Sequence, residues 1–216
     1  ISQLSEHRWK LKGVNIEIWP IRDYKHRATA AHILGFLGQG PVDESTRECW
    51  AGEGYDYEEG DLVGQEGIER TWEPYLRGVD GEQRIETNNM GQPINFFERK
   101  EPIPGSDLYL TLDLDLQKAA EEALARRVES IKKKEGSKYA GRASAVALDP
   151  NSGAILAMAN YPSYDPNKVG EEYFQLLQDP KRPLTNSAIQ GCYPIGSTFK
   201  MVTGTAALEE GVLSDR

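Results

Sequence analysis

The 216-residue chain is predicted to fold as an α+β protein in two parts, a β-rich stretch over residues 1–104 and a helix-and-sheet stretch over 105–216. Three observations predict this. The first part holds short β-prone pieces bounded by Gly, Pro or Asn, as short strands usually are. Beyond Pro104, apolar residues recur at Leu116, Ala120, Leu124, Val128 and Ile131, the period of an amphipathic helix. Two small apolar runs then flank Asp149-Pro-Asn-Ser-Gly153, which is hairpin chemistry.

In chain order, Val14–Trp19, Arg84–Thr87 and Ile94–Phe97 read as strands. Ala28–Leu37 is apolar and fits a short helix or a strand equally well. Asp43–Glu73 holds eleven acids against Arg47 and Arg70, and reads as a solvated acidic loop leading into a helix. Calcium would require a regular Asp/Asn/Gly loop spacing that this run lacks. Glu101-Pro-Ile-Pro-Gly105 reads as a linker, because each proline holds the residue before it extended. Leu108–Leu112 alternates like a strand, and Asp113 or Asp115 can cap the helix that follows. Lys132, Lys133 and Lys134 lie in its last turn, where cations meet the negative end of the dipole, and Gly136 stops it. Ala143–Leu148 and Ala154–Ala159 lack polar alternation, so the hairpin is expected at the centre of a sheet, covered on both faces. Tyr161–Leu184 reads as a long loop with one helical turn at Glu171–Leu177, and Ser197–Glu210 as a second helix closed by Gly211.

Composition narrows the function. With 38% hydrophobic residues the chain is too apolar for disorder. A formal charge of -9 argues against nucleic acid, which selects a basic stripe. No run approaches the ~20 apolar residues of a membrane span, and the polar start Ile1–Leu11 is no signal peptide. The missing initiator Met gives the expectation of a piece cut from a longer chain. Cys49 and Cys192 form no CxxC or Cys/His pattern, and His7, His26 and His32 have no partner motif, so no metal or cofactor is expected. One disulfide and two free thiols are both open. Cys192 reads as a small, partly buried apolar residue.

The candidate chemistry is Ser197-Thr-Phe-Lys200. A serine hydroxyl is a poor nucleophile until a base takes its proton. On a helix, residues i and i+3 share a face, so Ser197 and Lys200 would meet as nucleophile and base. Phe199, Val202 and Ala206 would anchor the helix in the core. A reacting carbonyl at Ser197 would also lie near the unpaired N–H groups of the helix start. Lys200 must lose its proton near neutrality, and burial is the usual means. A second match, Ser130-Ile-Lys-Lys133, falls at the basic end of a helix, where nothing would dehydrate the lysine. Without its flanks Ser197 would read as an ordinary N-cap.

Those flanks are informative. Tyr193–Lys200, Leu148–Ala159 and Pro162-Ser-Tyr-Asp-Pro-Asn167 resemble the transpeptidase domain of penicillin-binding proteins. Arg27–Gly38, Gly64–Glu69, Leu76–Gly81 and Leu110–Gln117 resemble the pedestal and junction of the class B, monofunctional group. Leu177–Asn186 is similar to the elongation, rod-shape type more than to the septal type. The resemblance implies a pedestal (dimerisation-type) domain incomplete at its start, then the first part of a serine transpeptidase domain with an antiparallel sheet and helices. It implies that Ser197 attacks the D-Ala–D-Ala bond of a peptidoglycan stem peptide, with Lys200 as base and the Ser197 backbone N–H as half of the oxyanion hole. β-Lactams would trap the same serine. A membrane glycosyltransferase and elongation scaffold proteins are the implied partners, at the outer side of the bacterial inner membrane. Ile195 departs from the family, which usually has a second proline there.

Two motifs of the family are absent. No serine here has Asn two positions later, and neither Lys-Thr-Gly nor Lys-Ser-Gly occurs. The expectation is a parent that transfers acyl groups and a 216-residue piece that is catalytically silent. The alternative is an interaction module, with Asp43–Glu73 and the aromatics Trp50, Tyr55, Tyr57 and Trp72 as its surface. A β-lactamase or β-lactam sensor would lack such a pedestal.

Overall fold

The computed structural model describes residues 21–39, 57, 60–89, 93–135 and 141–213. The expected strand Val14–Trp19, His7, Cys49, Trp50 and Tyr55 lie outside the described residues. The chain divides into two units. One comprises Ile1–Tyr109 with Tyr164–Gln175, the other Leu110–Ser163 with Leu176–Arg216.

In the first unit, Ala28–Leu37 contributes to both a helix and a strand. A helical turn, α1 (Ala31–Leu34), ends at Gly35, whose φ of 81° breaks the helix, and β1 (Leu37–Gln39) follows. β1 pairs antiparallel with β2 (Leu62–Gly64), and two short helices come next, α2 (Gly67–Thr71) and α3 (Glu73–Leu76). Gly67 sits at φ 61°, and a Cβ there would stand 2.5 Å from Ile33 O and 2.7 Å from Gly35 N. Gly67→Ala is therefore expected to destabilise the chain by ~2 kcal/mol or more, read as a lower urea midpoint. An unchanged midpoint would contradict this close approach.

Tyr164 forms the centre of this unit's core. It is 5% exposed, its hydroxyl donates to Ala31 O at 3.0 Å, and its ring meets His32 and Phe36 edge-on. His32 is thus a core histidine, and His26 is exposed. Three residues along, the Asn167 side chain accepts from Tyr24 N at 2.9 Å and donates to Tyr24 O at 3.0 Å. The Tyr24 hydroxyl and the Arg22 guanidinium both meet the buried Glu69 carboxylate. Beyond α3, β3 (Glu82–Thr87) and β4 (Pro93–Lys100) form an antiparallel ribbon, and the Pro-rich linker is extended, with Ile103 bridged to Val79.

Tyr57 is held inside the unit. Its hydroxyl donates to Glu73 at 3.2 Å, and the Arg77 guanidinium lies 3.9 Å over its ring while bonding Asp61 at 2.8 Å. Burial, reinforced by Glu73 and opposed by Arg77, pushes the Tyr57 phenol up to about 12. Burial also raises Tyr24 and Tyr164 well above the ordinary phenol range. A raised folded-state value favours the neutral phenol. Its stabilising contribution is complete below the unfolded value near 10 and is lost as pH rises through the folded one. Tyrosinate absorbance is expected to lag, these three ionising only as the chain unfolds at high pH. Ordinary titration of all 10 tyrosines near pH ~10 would refute it.

The second unit is built on α4 (Leu114–Glu135) and the hairpin β5 (Ala143–Leu148) and β6 (Ile155–Tyr161). Asp113 caps α4, its Oδ1 accepting from Leu116 N at 2.9 Å. Asp149 builds the hairpin turn by accepting from Ser152 Oγ and Asn151 N, and Gly153 closes it at φ 75°. Those bonds, Ser152's above all, hold the Asp149 carboxyl below the usual carboxylate range. α4 packs along β6, where Ala157 and Ala159 are small enough to admit it, and Val128 is its buried apolar contact residue.

Three expectations are corrected here. Among the described residues Leu108–Leu112 belongs to no strand ladder. One side-chain bond (Thr111 Oγ1 to Ile155 O) and the next residue's Asp113 N to Leu156 O tie this stretch to β6, while Tyr109 is 89% exposed. Alternation specifies extended backbone without specifying a partner. The hairpin is not covered on both faces among the described residues, since Val146 and Leu148 remain about half exposed. The single turn expected at Glu171–Leu177 is a ten-residue helix, α5 (Val169–Gln178), entered through a 3₁₀ turn at Pro166–Lys168.

Candidate acyl-transfer site

The segment bearing the Ser-x-x-Lys pattern begins at a four-residue helix, α6 (Ser187–Gln190), capped by Asn186 Oδ1 accepting from Ala188 N at 3.2 Å. Four residues are too few for a helix to persist alone. Side chains from the hairpin hold it. Asn160 on β6 donates to Asn186 Oδ1 at 3.0 Å and accepts from Ala188 N at 3.0 Å. Arg142, just before β5, donates to Ser187 Oγ from Nη2 at 2.8 Å and Nε at 3.2 Å. Asn160, Asn186 and Ser187 are all buried. Sequence reasoning missed these residues. The available signal was Asn160 itself, a polar side chain closing the apolar run Ile155–Ala159.

From Gly191 the chain passes Pro194 to Gly196, at φ 56°, and enters a 3₁₀ turn, Gly196–Phe199, continued by α7 (Lys200–Glu209). The helix expected over Ser197–Glu210 is present, but its first turn is 3₁₀. Thr198 reinforces that turn, its Oγ1 donating to Ile195 O at 2.6 Å, and Lys200 N bonds back to Ser197 O. With three residues per turn, side chains at i and i+3 lie in line rather than offset. Ser197 and Lys200 stand three residues apart across this turn, joined by the backbone bond from Lys200 N to Ser197 O. The first N–H groups of such a turn have no partner within it and are available to an oxyanion.

Burial is different from the expectation. Ser197 and Lys200 are both exposed, and no hydrogen bond among the described residues joins them. Phe199 and Val202 are 53% and 57% exposed and Ala206 is not buried either, so the expected core anchoring is absent here. The reason is visible along α7. At ~100° per residue Met201, Val202, Ala206 and Leu208 fall on one side of the helix, a stripe of the kind that packs on a core, and nothing described here covers it. Cys192 is exposed rather than partly buried, like the whole run to Lys200. The second Ser-x-x-Lys pattern lies in the last turns of α4, where Lys132 pairs with Glu129 at 2.7 Å. Among the described residues no group of three His, Cys, Asp or Glu is placed to hold a metal, and no helix is long and apolar enough to cross a membrane.

Known proteins resemble this chain over its full length. Residues 1–110 match the penicillin-binding protein dimerisation domain, and 143–216 the penicillin-binding protein transpeptidase domain. The peptidoglycan D,D-transpeptidase MrdA of Escherichia coli K12 is 32% identical over 99% of this chain, and that of Acinetobacter baumannii 33%. The chain spans 32% and 30% of those relatives. A solved structure of a peptidoglycan synthase complex that coordinates polymerization and crosslinking aligns with 100% of the chain and 37% of its own, at 35% identity and a TM-score of 0.74. The complex of PBP2 and MreC from Helicobacter pylori aligns at 24% identity and a TM-score of 0.73, a likeness of fold. With one family match ending at Leu110 and the other opening at the first residue of β5, this chain belongs to the penicillin-binding proteins, joining a dimerisation-domain match to a transpeptidase-domain match.

Proposed function

We propose that this chain is part of a longer class B penicillin-binding protein of the elongation type, which cross-links peptidoglycan by serine acyl transfer. Ser197 Oγ attacks the D-Ala–D-Ala carbonyl of a stem peptide, Lys200 accepts the hydroxyl proton, and the Ser197 N–H stabilises the oxyanion. D-Alanine leaves, and a second strand's amine releases the acyl group from Ser197. The observation that carries the reading is a 3₁₀ turn at Gly196–Phe199 that holds Ser197 one turn before Lys200 inside a segment matching the transpeptidase family. The 1–104 and 105–216 division and a periplasmic, membrane-anchored setting belong to the same proposal.

The reading includes a silent fragment. Lys200 is exposed here, and none of the packing that would dehydrate a basic lysine surrounds it among the described residues. The apolar side of α7, left exposed here, supports its packing against more of the chain in the complete protein. Incubating residues 1–216 and the complete protein with a fluorescent penicillin tests both halves. Stable labelling of the complete protein alone is expected. Labelling of the short chain, lost in Ser197→Ala, would overturn its silence, and an unlabelled complete protein would overturn the acyl-transfer reading.

A second reading, compatible with the first, makes the first unit a docking module for a membrane glycosyltransferase and elongation scaffold proteins. A cleft of about 610 Å³ supports it, with Leu62, Leu76, Val79 and Ile103 in its walls and the Arg77–Asp61 pair at its side. So does the likeness to a peptidoglycan synthase complex. Tyr57, bound to Glu73 and Arg77, is a structural aromatic rather than part of that surface. Ile103→Glu in the complete protein is expected to weaken co-purification of membrane partners, and undiminished recovery would count against the cleft.

A further inference from the structure

We propose that the buried amide pair Asn160–Asn186, with the Arg142–Ser187 contact beside it, is the positioning anchor of the turn that carries Ser197. The inference rests on Ser197 being the acylated residue. The anchoring side chains touch no substrate and act through the stretch of chain leading to the nucleophile.

Asn160 and Asn186 are 5% and 6% exposed, and their polar atoms are engaged with one another, with α6 and, from Asn186 Nδ2 at 3.6 Å, with Met158 Sδ on β6. Asn160 spans Asn186 Oδ1 and Ala188 N, both at 3.0 Å, while Asn186 N donates to Gln190 Oε1 at 3.0 Å. Buried amides gain little net stability over apolar groups of the same shape. What a fully bonded pair adds is a single permitted geometry, because any slip leaves a donor or acceptor without water or partner. That geometry is applied to a four-residue helix with no stability of its own.

The tether from this helix to the nucleophile is short and stiff. A Cβ on Gly191 would stand 2.5 Å from Ser187 O and closer still to the Tyr193 ring, so the chain leaves α6 pressed against it. Pro194 then removes one backbone rotation. Six residues, 191–196, separate the anchored helix from Ser197, and every residue from Cys192 to Lys200 is exposed. Among the described residues nothing along that stretch offers packing to set the position of the turn. Its position is inherited from the Asn160–Asn186 anchor, and a displacement of ~1 Å at a nucleophile is worth ~10²-fold in rate.

The test compares acylation rate with stability in the complete protein. Labelling by a fluorescent penicillin and Tm are measured for Asn160→Ala, Asn186→Ala, the double variant and Asn186→Asp. Val128→Ala, a core truncation in the same unit, supplies the comparison. Well below Tm, each alanine variant is expected to label ~10- to 100-fold more slowly, and the double variant no more slowly than the slower single. Asn186→Asp keeps the oxygen that accepts from Asn160 and Ala188 but loses the donor to Met158 Sδ and buries a carboxylate, so it should recover part of the rate. Val128→Ala, at a similar loss of Tm, should label normally. Should an alanine variant not fold, Ser187→Ala, which removes only the acceptor of Arg142, is expected to slow labelling in the same way. Alanine variants that label at the wild-type rate, or slow only as Val128→Ala does, would overturn the anchor alone. An unlabelled wild-type protein would overturn the acylation reading and the anchor with it.

Discussion

In the complete protein, Ser197→Ala is expected to abolish stable labelling by a fluorescent penicillin, a loss of ~10⁴-fold or more in acylation rate. The hydroxyl is the atom that bonds to the acyl group, and alanine leaves nothing to attack. Lys200→Ala should fall nearly as far, because residues that act as one unit lose the whole step when either is removed. Lys200→Arg should not rescue it. A guanidinium keeps its proton at any accessible pH and cannot serve as base, although it preserves the charge. The control is Lys133→Ala in the second Ser-x-x-Lys pattern, which should label like wild type. Labelling that survives Ser197→Ala would place the nucleophile elsewhere and remove the basis of the acyl-transfer reading.

Gln117→Ala is expected to produce the largest loss of stability in the second unit, ~3 kcal/mol. Gln117 is 1% exposed, and its amide bonds both backbone groups of Met158, Oε1 accepting from N at 2.7 Å and Nε2 donating to O at 2.9 Å. One side chain thereby does for β6 what a neighbouring strand residue would do. Truncation leaves two backbone groups and a cavity together, which is costlier than either alone. Gln117→Glu sharpens the test. The carboxylate can still accept from Met158 N, but it faces Met158 O and Glu121 with no proton to donate. Protonation restores the donor, so that variant should be less stable at neutral than at mildly acid pH, the reverse of the usual carboxylate pattern. Urea midpoints at both pH values check the sign. A Gln117→Ala protein of unchanged midpoint would mean the clamp contributes nothing.

The α4 period, an Asp cap at residue 113 or 115 and the Asp149–Gly153 turn are legible in the sequence because each is a local agreement between chemistry and backbone, and the structure selects Asp113 for the cap. Ala28–Leu37 was ambiguous on paper because it is two elements joined at Gly35. Leu108–Leu112 shows the limit of pattern: alternation announces an extended chain, and pairing depends on a neighbour. The burial of Asn160, Asn186 and Gln117 is not legible because a buried amide looks like a surface residue until its partners are known. Tyr164 and Asn167 lie in a transpeptidase-like motif, yet their bonds run to Ala31 and Tyr24, more than a hundred positions earlier.

The amino-acid order alone determined the family, the α+β class and the Ser197/Lys200 spacing. These depend on neighbours a few positions apart, where helix period and turn chemistry act directly. Tertiary structure alone decided that the opening turn at Ser197 is 3₁₀, that Tyr164–Gln175 joins the first unit, and which amides hold α6. Those outcomes depend on where distant backbone donors and acceptors come to rest, and burial makes each unmet one too costly to leave.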